Sequence, residues 1–390
     1  MSRARTLGVM GGGQLGRMFA QAAQAMGFKV LVLDPEAQKD GLLSPAAQVS
    51  DAFVSASFTD TIALQLLADQ CFAVTTEFEN VPAAALEFLA EPERKVRVAP
   101  KASSVRIAQD RVLEKAHFAA SGVATAPYVV IENEAHIANV PDDFYPAILK
   151  TARMGYDGKG QVTVKSAHEL QAAWTGLARV VCVLEKRLLL ASECSVLVAR
   201  SADGNTIHWP VQRNVHVDGI LATTEVSQIE SAQDAQLVAA AQKIARDLDY
   251  VGVLCVEFFM LADGAWVVNE MAPRPHNSGH VTMDASSLSQ FEAQARILAG
   301  LPLVQPRQHA SVVMINLLGD RWFKGVDSAS AREPDWASVL AHGNAYIGVH
   351  LHLYGKTEAR KGRKMGHINI TAATLTEAWQ TARLIQQLLH

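Results

Sequence analysis

The sequence is short of several things, and each shortage removes a class of protein. It has 4 cysteines in 390 residues (Cys71, Cys182, Cys194 and Cys255), far apart and without a CxxC. Neither a disulfide framework nor a cysteine zinc site is expected, and a reducing, cytoplasmic setting is the default. Charged residues make up 19% of the chain, against about 25% in ordinary globular proteins. Neither sign dominates, since 35 Lys and Arg face 39 Asp and Glu for a formal net charge of −4. A protein that grips nucleic acid through its phosphates is normally basic, so no nucleic-acid partner is expected. Long apolar runs are missing too. The most apolar stretch, Val180 to Val198, is interrupted by Glu185, Lys186, Arg187 and Glu193. No window reaches the roughly 18 apolar residues of a membrane helix. The start, Met1-Ser2-Arg3-Ala4-Arg5, runs into a strand-like segment and does not read as a signal peptide.

What is present is a compact chain, 49% hydrophobic. At roughly 150 residues per domain its length suggests two to three domains. Three blocks are expected. In residues 1–101 strands alternate with helices, which argues a Rossmann-like parallel sheet. Residues 102–304 open with an apolar stripe at helical spacing (Val105, Ala108, Val112, Ala116, Ala119). They continue as strands with helices near 232–248 and 287–299, a mixed α+β domain. Residues 305–390 read as a small, mostly-β domain whose last helix starts at a capping box, Thr374-Leu375-Thr376-Glu377.

Five motifs carry chemistry. Gly11-x-Gly13-x-x-Gly16 follows a strand and opens a helix, and Asp34 ends the next strand. That is either a dinucleotide fingerprint or a tight turn in a Rossmann-like domain. The loop Arg153-Met154-Gly155-Tyr156-Asp157-Gly158-Lys159-Gly160-Gln161 has glycines that free backbone amides for an anion, with Lys150 and Lys159 beside them. It reads as a phosphate loop or a mobile hairpin turn. In Leu254 to Glu270, Asp263-Gly264 suits a two-residue hairpin turn. Counting outward pairs Glu257 with Glu270 on one face, about 5 Å apart. Two opposed carboxylates suit Mg²⁺ bridging to phosphates, unless a cation such as Arg274 neutralises them. Pro273-Arg274-Pro275-His276-Asn277 is stiff and extended and sets a guanidinium fork beside that pair. Finally, Lys356, Arg360, Lys361, Arg363 and Lys364 crowd one short stretch, as a solvated turn or an anion site.

Together these segments resemble the N5-carboxyaminoimidazole ribonucleotide synthetases, ATP-grasp enzymes of purine biosynthesis, over nearly the whole chain. The likeness also covers Thr76-Glu77-Phe78-Glu79-Asn80-Val81, Asn277-Ser278-Gly279-His280 and Gly362-Arg363-Lys364-Met365-Gly366-His367. The resemblance implies an ATP-grasp fold with a pre-ATP-grasp domain in front, a lid at about 123–190, and a C-terminal domain closing the substrate site. It implies ATP as co-substrate, held by Arg111, Lys150, Gly155, Tyr156, Asp157, Gly158, Lys159, Gly160 and Gln161. Glu185, Lys186, Arg187 and Leu188 would meet the adenine, with Glu193, His216 and Asn269 in the nucleotide site. Glu257 and Glu270 would hold Mg²⁺. Lys150, Arg274, His276 and Asn277 would be catalytic, the last three on bicarbonate or carboxyphosphate. Lys356, Arg363 and Lys364 would hold the 5′-phosphate of 5-aminoimidazole ribonucleotide, with Tyr156, Asp157, Glu77 and Asn80 also at that substrate. A homodimer is implied as well. Other ATP-grasp ligases, such as biotin carboxylase or formate-dependent glycinamide ribonucleotide transformylase, share half of this chemistry. An NAD-dependent dehydrogenase would explain the first block alone.

Overall fold

The structure, a computed structural model, describes residues 5–155, 160–229, 231–323 and 331–389. Tyr156, Asp157, Gly158 and Lys159, all expected at the ATP site, lie outside the described residues.

The short apolar runs of the first block form one parallel sheet, in the order Ala52–Val54, Lys29–Leu33, Thr6–Met10, Ala73–Thr76, Arg97–Val98. Its strands are apolar on both faces because helices cover both. Leu7, Val9, Val30 and Val32 pack with Leu15, Met18 and Phe19 of the helix Gln14–Ala25. Met10, Leu31, Leu33 and Val74 turn the other way, onto Leu64 and Leu67 of the helix Thr61–Gln70. That second helix starts where Asp60 accepts from the amides of Ile62 and Ala63, a cap of about 1 kcal/mol.

A smaller antiparallel sheet follows, ordered Gln161–Val164, Ala147–Thr151, Cys182–Lys186, Tyr128–Ile131. Ile137, Leu170 and Trp174 of two flanking helices close its core. The largest sheet has nine strands. It runs Trp266–Ala272, Gly252–Leu261, Leu190–Arg200, Gln212–Val217, Ile220–Val226, Ser311–Leu318, Lys364–Ala372, Gly348–Leu353, with Thr206–His208 added beside Leu190–Arg200. Its last three strands come from the C-terminal block, through pairing of Thr223–Val226 with Val312–Ile315. The last helix, Leu375–Leu389, covers them and opens with the expected capping box. Thr374 Oγ1 accepts from the Glu377 amide, and Glu377 accepts from the Thr374 amide.

One expectation is corrected. The helix after residue 102 is two helices, Ala102–Ala108 and Arg111–Ala120. Asp110 interrupts them by capping the second through the amides of Val112 and Leu113. The face that second helix buries is not Val112, Ala116 and Ala119 but Glu114, Lys115 and Phe118. The helix lines a charged cleft, so its buried stripe is partly ionic.

Candidate active site

The carboxylate hairpin reaches its geometry by a route the residue count did not foresee. The turn has three residues, not two. Leu261 donates to the Ala265 carbonyl, Gly264 donates to the Leu261 carbonyl, and Gly264 takes φ +86°. This shifts the register by one, so Phe258 faces Val268. A bulge then shifts it back, because Val256 faces Met271. Glu257 therefore stands opposite two residues, Asn269 and Glu270. Met271 and Val268 both pack into the apolar core on one side, which leaves Asn269 and Glu270 to the other. Bulges re-aim side chains in this way next to functional sites.

The two acids meet. Burial, and next the charge of Glu270, push the Glu257 carboxyl up to about 8. At Glu270 burial works in the same direction, but Arg111 and Lys150 outweigh it and hold that carboxyl below its ordinary value. The cation on Glu270 is thus Arg111, whose Nη1 lies 2.8 Å from Oε2, and not Arg274. Arg274 instead pairs with Glu79 of the first block.

Behind the bulge stands Glu114, which the sequence reading missed. Its Oε1 accepts from the Met271 amide at 2.7 Å, pinning the strand beside Glu270. Burial raises its carboxyl to about 8. The sequence signal was an acid and a lysine on the inner face of an amphipathic helix. Lys115, the second of these, lies 3.1 Å from Glu185 Oε1. Lys150 donates to Glu185 Oε2 at 2.8 Å. Glu185 is buried and spans two lysines, and their charges outweigh burial to keep it ionised. Its strand ends at Lys186, so Arg187 and Leu188 follow it rather than extend it. The amides of Lys186 and Arg187 bond to the carbonyls of Pro127 and Pro146. Lys150 lies on the smaller sheet and Glu270 on the larger, so the cleft runs between two sheets. Gly155 precedes the loop outside the described residues, and Gly160 re-enters at φ +74° with its carbonyl bonded to the Thr151 amide. Gln161 pairs with Lys150.

On the wall of the larger sheet, His216 Nδ1 lies 2.9 Å from Glu193 Oε2. Burial opposes its charge, but the hydrogen bond to Glu193 raises the imidazole above its ordinary value. Past the hairpin, His276 Nε2 lies 3.3 Å from Glu257 Oε1. Burial and the charges of Arg274 and Lys364 hold His276 well below the ordinary histidine value, so it stands there as a neutral imidazole. Both polar side-chain atoms of Asn277 are buried without a hydrogen-bond partner, and so is Asn269 Oδ1.

A divalent cation fits this donor set. Among the described residues no group of three or more His, Cys, Asp or Glu forms a ready metal cage. Two carboxylates and the unpartnered Asn269 oxygen instead make a half-shell of hard oxygen ligands. Mg²⁺ accepts such a shell when phosphates and water complete it.

The basic run is knitted to its surroundings. Lys356 Nζ donates to Gln14 Oε1 at 2.9 Å and to the Lys364 carbonyl at 2.6 Å. Arg363 donates to the Glu358 carbonyl at 2.8 Å, and the Gly362 amide donates to Asp320 Oδ2 at 2.7 Å. Gly319 makes this possible, because a Cβ there would lie 2.1 Å from the Arg360 carbonyl oxygen. Gln14 brings the run to the first block's glycine turn. That turn is already filled. Gly12 donates to Asp34 Oδ2 and Gly13 to Glu77 Oε1, each at 2.7 Å. Burial pushes the Glu77 carboxyl up to about 7. With its amides given to carboxylates, the turn has no free seat for a pyrophosphate, which removes the dinucleotide reading. Asn80 lies in the turn after Glu77, past the strand Ala73–Thr76, and is partly buried.

Comparisons with known proteins cover the same ground. Residues 4–109 match the ribonucleotide synthetase preATP-grasp domain, residues 116–291 the ATP-grasp domain, and residues 312–381 the phosphoribosylaminoimidazole carboxylase C-terminal domain. The N5-carboxyaminoimidazole ribonucleotide synthase of Brucella melitensis is 43% identical over 367 residues, 93% of this chain and 95% of that one. The Bacillus subtilis enzyme of that name is 38% identical, covering 93% of this chain and 90% of its own. Among solved structures, N5-carboxyaminoimidazole synthetase from Staphylococcus aureus with ADP superposes with a TM-score of 0.85 at 32% identity, covering 100% and 98% of the two chains. The Aspergillus clavatus enzyme, solved with ADP and 5-aminoimidazole ribonucleotide, gives 0.85 at 30% identity over 100% and 99%. With three successive domain matches and near full-length similarity on both sides, the chain belongs to the N5-carboxyaminoimidazole ribonucleotide synthase family of ATP-grasp enzymes.

Proposed function

We propose that the chain carboxylates 5-aminoimidazole ribonucleotide at its exocyclic amine, using ATP and bicarbonate and releasing ADP and phosphate. The observation that carries this reading is the bulged hairpin, which sets Glu257, Asn269 and Glu270 against Arg111 and Lys150 across a cleft between two sheets. Nothing in a purely structural hairpin calls for two acids at one bulge with an unpaired amide oxygen between them.

Bicarbonate is a poor electrophile, and phosphorylation by ATP gives it a leaving group as carboxyphosphate. Glu257, Asn269 and Glu270 would hold Mg²⁺, which would supply positive charge against the phosphates. Arg111 and Lys150 add fixed positive charge on the opposite wall. Lys150 is held by Glu185 and so is aimed before substrate arrives. Glu185, Lys186, Arg187 and Leu188 bring the strand and its exit to the adenine, while Glu193 and His216 line the ribose side. Arg274, His276 and Asn277 hold bicarbonate and then carboxyphosphate beside Glu257. Lys356, Arg363 and Lys364 hold the ribonucleotide's 5′-phosphate, and Glu77 and Asn80 face its sugar or base. Gly160 and Gln161 stand beside Lys150 at the phosphate end of the cleft. The chain works in the cytoplasm as a homodimer. Its four cysteines are buried and none forms a disulfide, in keeping with a reducing compartment. Among the described residues no helix is long and apolar enough to cross a membrane.

The test is ADP release from Mg·ATP with bicarbonate, with and without 5-aminoimidazole ribonucleotide. Strong stimulation by the ribonucleotide, with one ADP per carbamate, is the expected result. ADP release indifferent to it would point to another acceptor.

A further inference from the structure

His276 has a buried row of polar side chains on one side and Glu257 on the other, and hydrogen-bond directions along the row decide which nitrogen carries its proton. The Ser278 amide, which can only donate, bonds to His276 Nδ1 at 3.4 Å. Nδ1 is therefore an acceptor and carries no hydrogen. Ser278 Oγ lies 2.9 Å from the same nitrogen, so its hydroxyl donates there as well. Ser195 Oγ has two acceptors in reach, Ser278 Oγ at 2.8 Å and Gln212 Oε1 at 3.3 Å, and the nearer one, its own proton spent on His276, takes the hydrogen. Ser195 Oγ in turn accepts from Asn214 Nδ2 at 2.9 Å. The far end agrees, because Asn214 Oδ1 accepts from the Thr224 hydroxyl at 2.9 Å and so faces the amide nitrogen toward Ser195. Both serines are fully buried, at 0% exposure, so water does not compete for the row. The backbone is pinned as well. Gln290 accepts from the His276 amide at 2.8 Å and donates to its carbonyl at 2.7 Å.

We infer that Asn214, Ser195 and Ser278 are positioning residues that lock His276 in its Nε2–H form, so that it meets bicarbonate or carboxyphosphate as a hydrogen-bond donor and not as a general base. This rests on the reading of Arg274 to Asn277 as the bicarbonate site. The remaining groups facing the ring are Glu257, His216, Lys364 and Arg274. An N–H at this position, beside Glu257 Oε1, suits an oxyanion. Had the lone pair been on Nε2, the ring would have set an acceptor against Glu257 and an anion. A donor fixed in advance needs no reorganisation as charge develops.

The full chain labelled with ¹⁵N-histidine tests this directly, since nitrogen shifts separate the two tautomers. The His276 signals are identified by their loss in His276→Ala. Wild type is expected to show Nε2–H, and Ser278→Ala or, one step further along the row, Ser195→Ala to show a mixture of tautomers. A second arm compares turnover. His276→Gln keeps an N–H donor without a base, and is expected to exceed His276→Ala about tenfold in kcat, against a loss of about 10²–10³ for the alanine variant. An Nδ1–H signal in wild type, or an unchanged tautomer in both serine variants, overturns the lock. Equal loss in the Gln and Ala variants overturns the donor role. Undiminished turnover in His276→Ala overturns the bicarbonate reading instead, whatever the spectra show.

Discussion

At the scale of single residues, buried carboxyls set what substitutions do. Glu257 titrates near 8, so at pH 7 without metal it is largely protonated and glutamine mimics its shape. Glu257→Gln should keep the wild-type melting temperature and lower ADP release by about 10²–10³, in line with the loss of one preorganised charge contact. Glu270→Gln should lose activity similarly but also stability, because Arg111 is then buried without its anion. Differential scanning calorimetry beside the ADP assay separates the two. Glu114 yields a pH test. Its folded value of about 8 lies above the ordinary 4.5, so the native state holds its proton more tightly than the unfolded chain. That contribution to stability is full below about pH 4.5 and is lost as pH rises to about 8. Wild type should therefore lose up to roughly 1 kcal/mol per pH unit across this window relative to Glu114→Gln, which keeps an amide oxygen for Met271. Parallel melting curves of the two proteins that do not converge or cross between pH 5 and pH 8 would contradict it.

At the scale of elements, the fold is legible in the sequence where one period rules. Four of the five parallel strands, the helices Gln14–Ala25 and Thr61–Gln70, and the C-terminal capping box are legible because each rests on local pattern, whereas the two-residue strand Arg97–Val98 and the helix Ala83–Ala90 are not. The helix Arg111–Ala120 was misread because its inner face holds Glu114 and Lys115, and a search for apolar stripes passes over a buried ion cluster. The strands Gln212–Val217, Ile220–Val226 and Gly348–Leu353 went unread, since their residues are mixed and only neighbours make them strands. The hairpin shows a limit of another kind. Its two acids were found, but the count rested on a two-residue turn, and neither the third turn residue nor the bulge leaves a mark in the local sequence. The partners of Lys115, Glu79 and the buried serines are not legible for the same reason, as they come from distant segments. An element-scale prediction follows from Gly319, where any Cβ collides with the Arg360 backbone. Gly319→Ala should displace the basic run and raise KM for the ribonucleotide at least tenfold, with KM for ATP little changed. Steady-state kinetics in each substrate would show it.

At the scale of the whole molecule, the third block is not an appendage. Its strands continue the sheet that carries the acidic hairpin, and Tyr354 packs among residues of the first block's core. A chain ending at residue 304 would bare the edge of Ile220–Val226 and the apolar side chains behind it. Open edges of this sort recruit other strands. The truncated protein should aggregate rather than run as a smaller monomer, which sedimentation velocity would reveal. The same measurement on the full chain should return twice the 42.1 kDa of one copy, the homodimer proposed above.

The filled glycine turn has a further consequence. Backbone amides at a helix start ordinarily invite anions, but here Asp34 and Glu77 have taken the invitation from within. An approaching ligand meets carboxylate oxygens and is sorted by polarity: hydroxyl or amine hydrogens are welcome, and a phosphate is repelled. A ribonucleotide held between this turn and the basic run, as proposed above, would enter with its sugar or base edge toward the acids and its phosphate toward the lysines. The turn would then act as a polarity key, setting the substrate's direction before any reacting group has touched it.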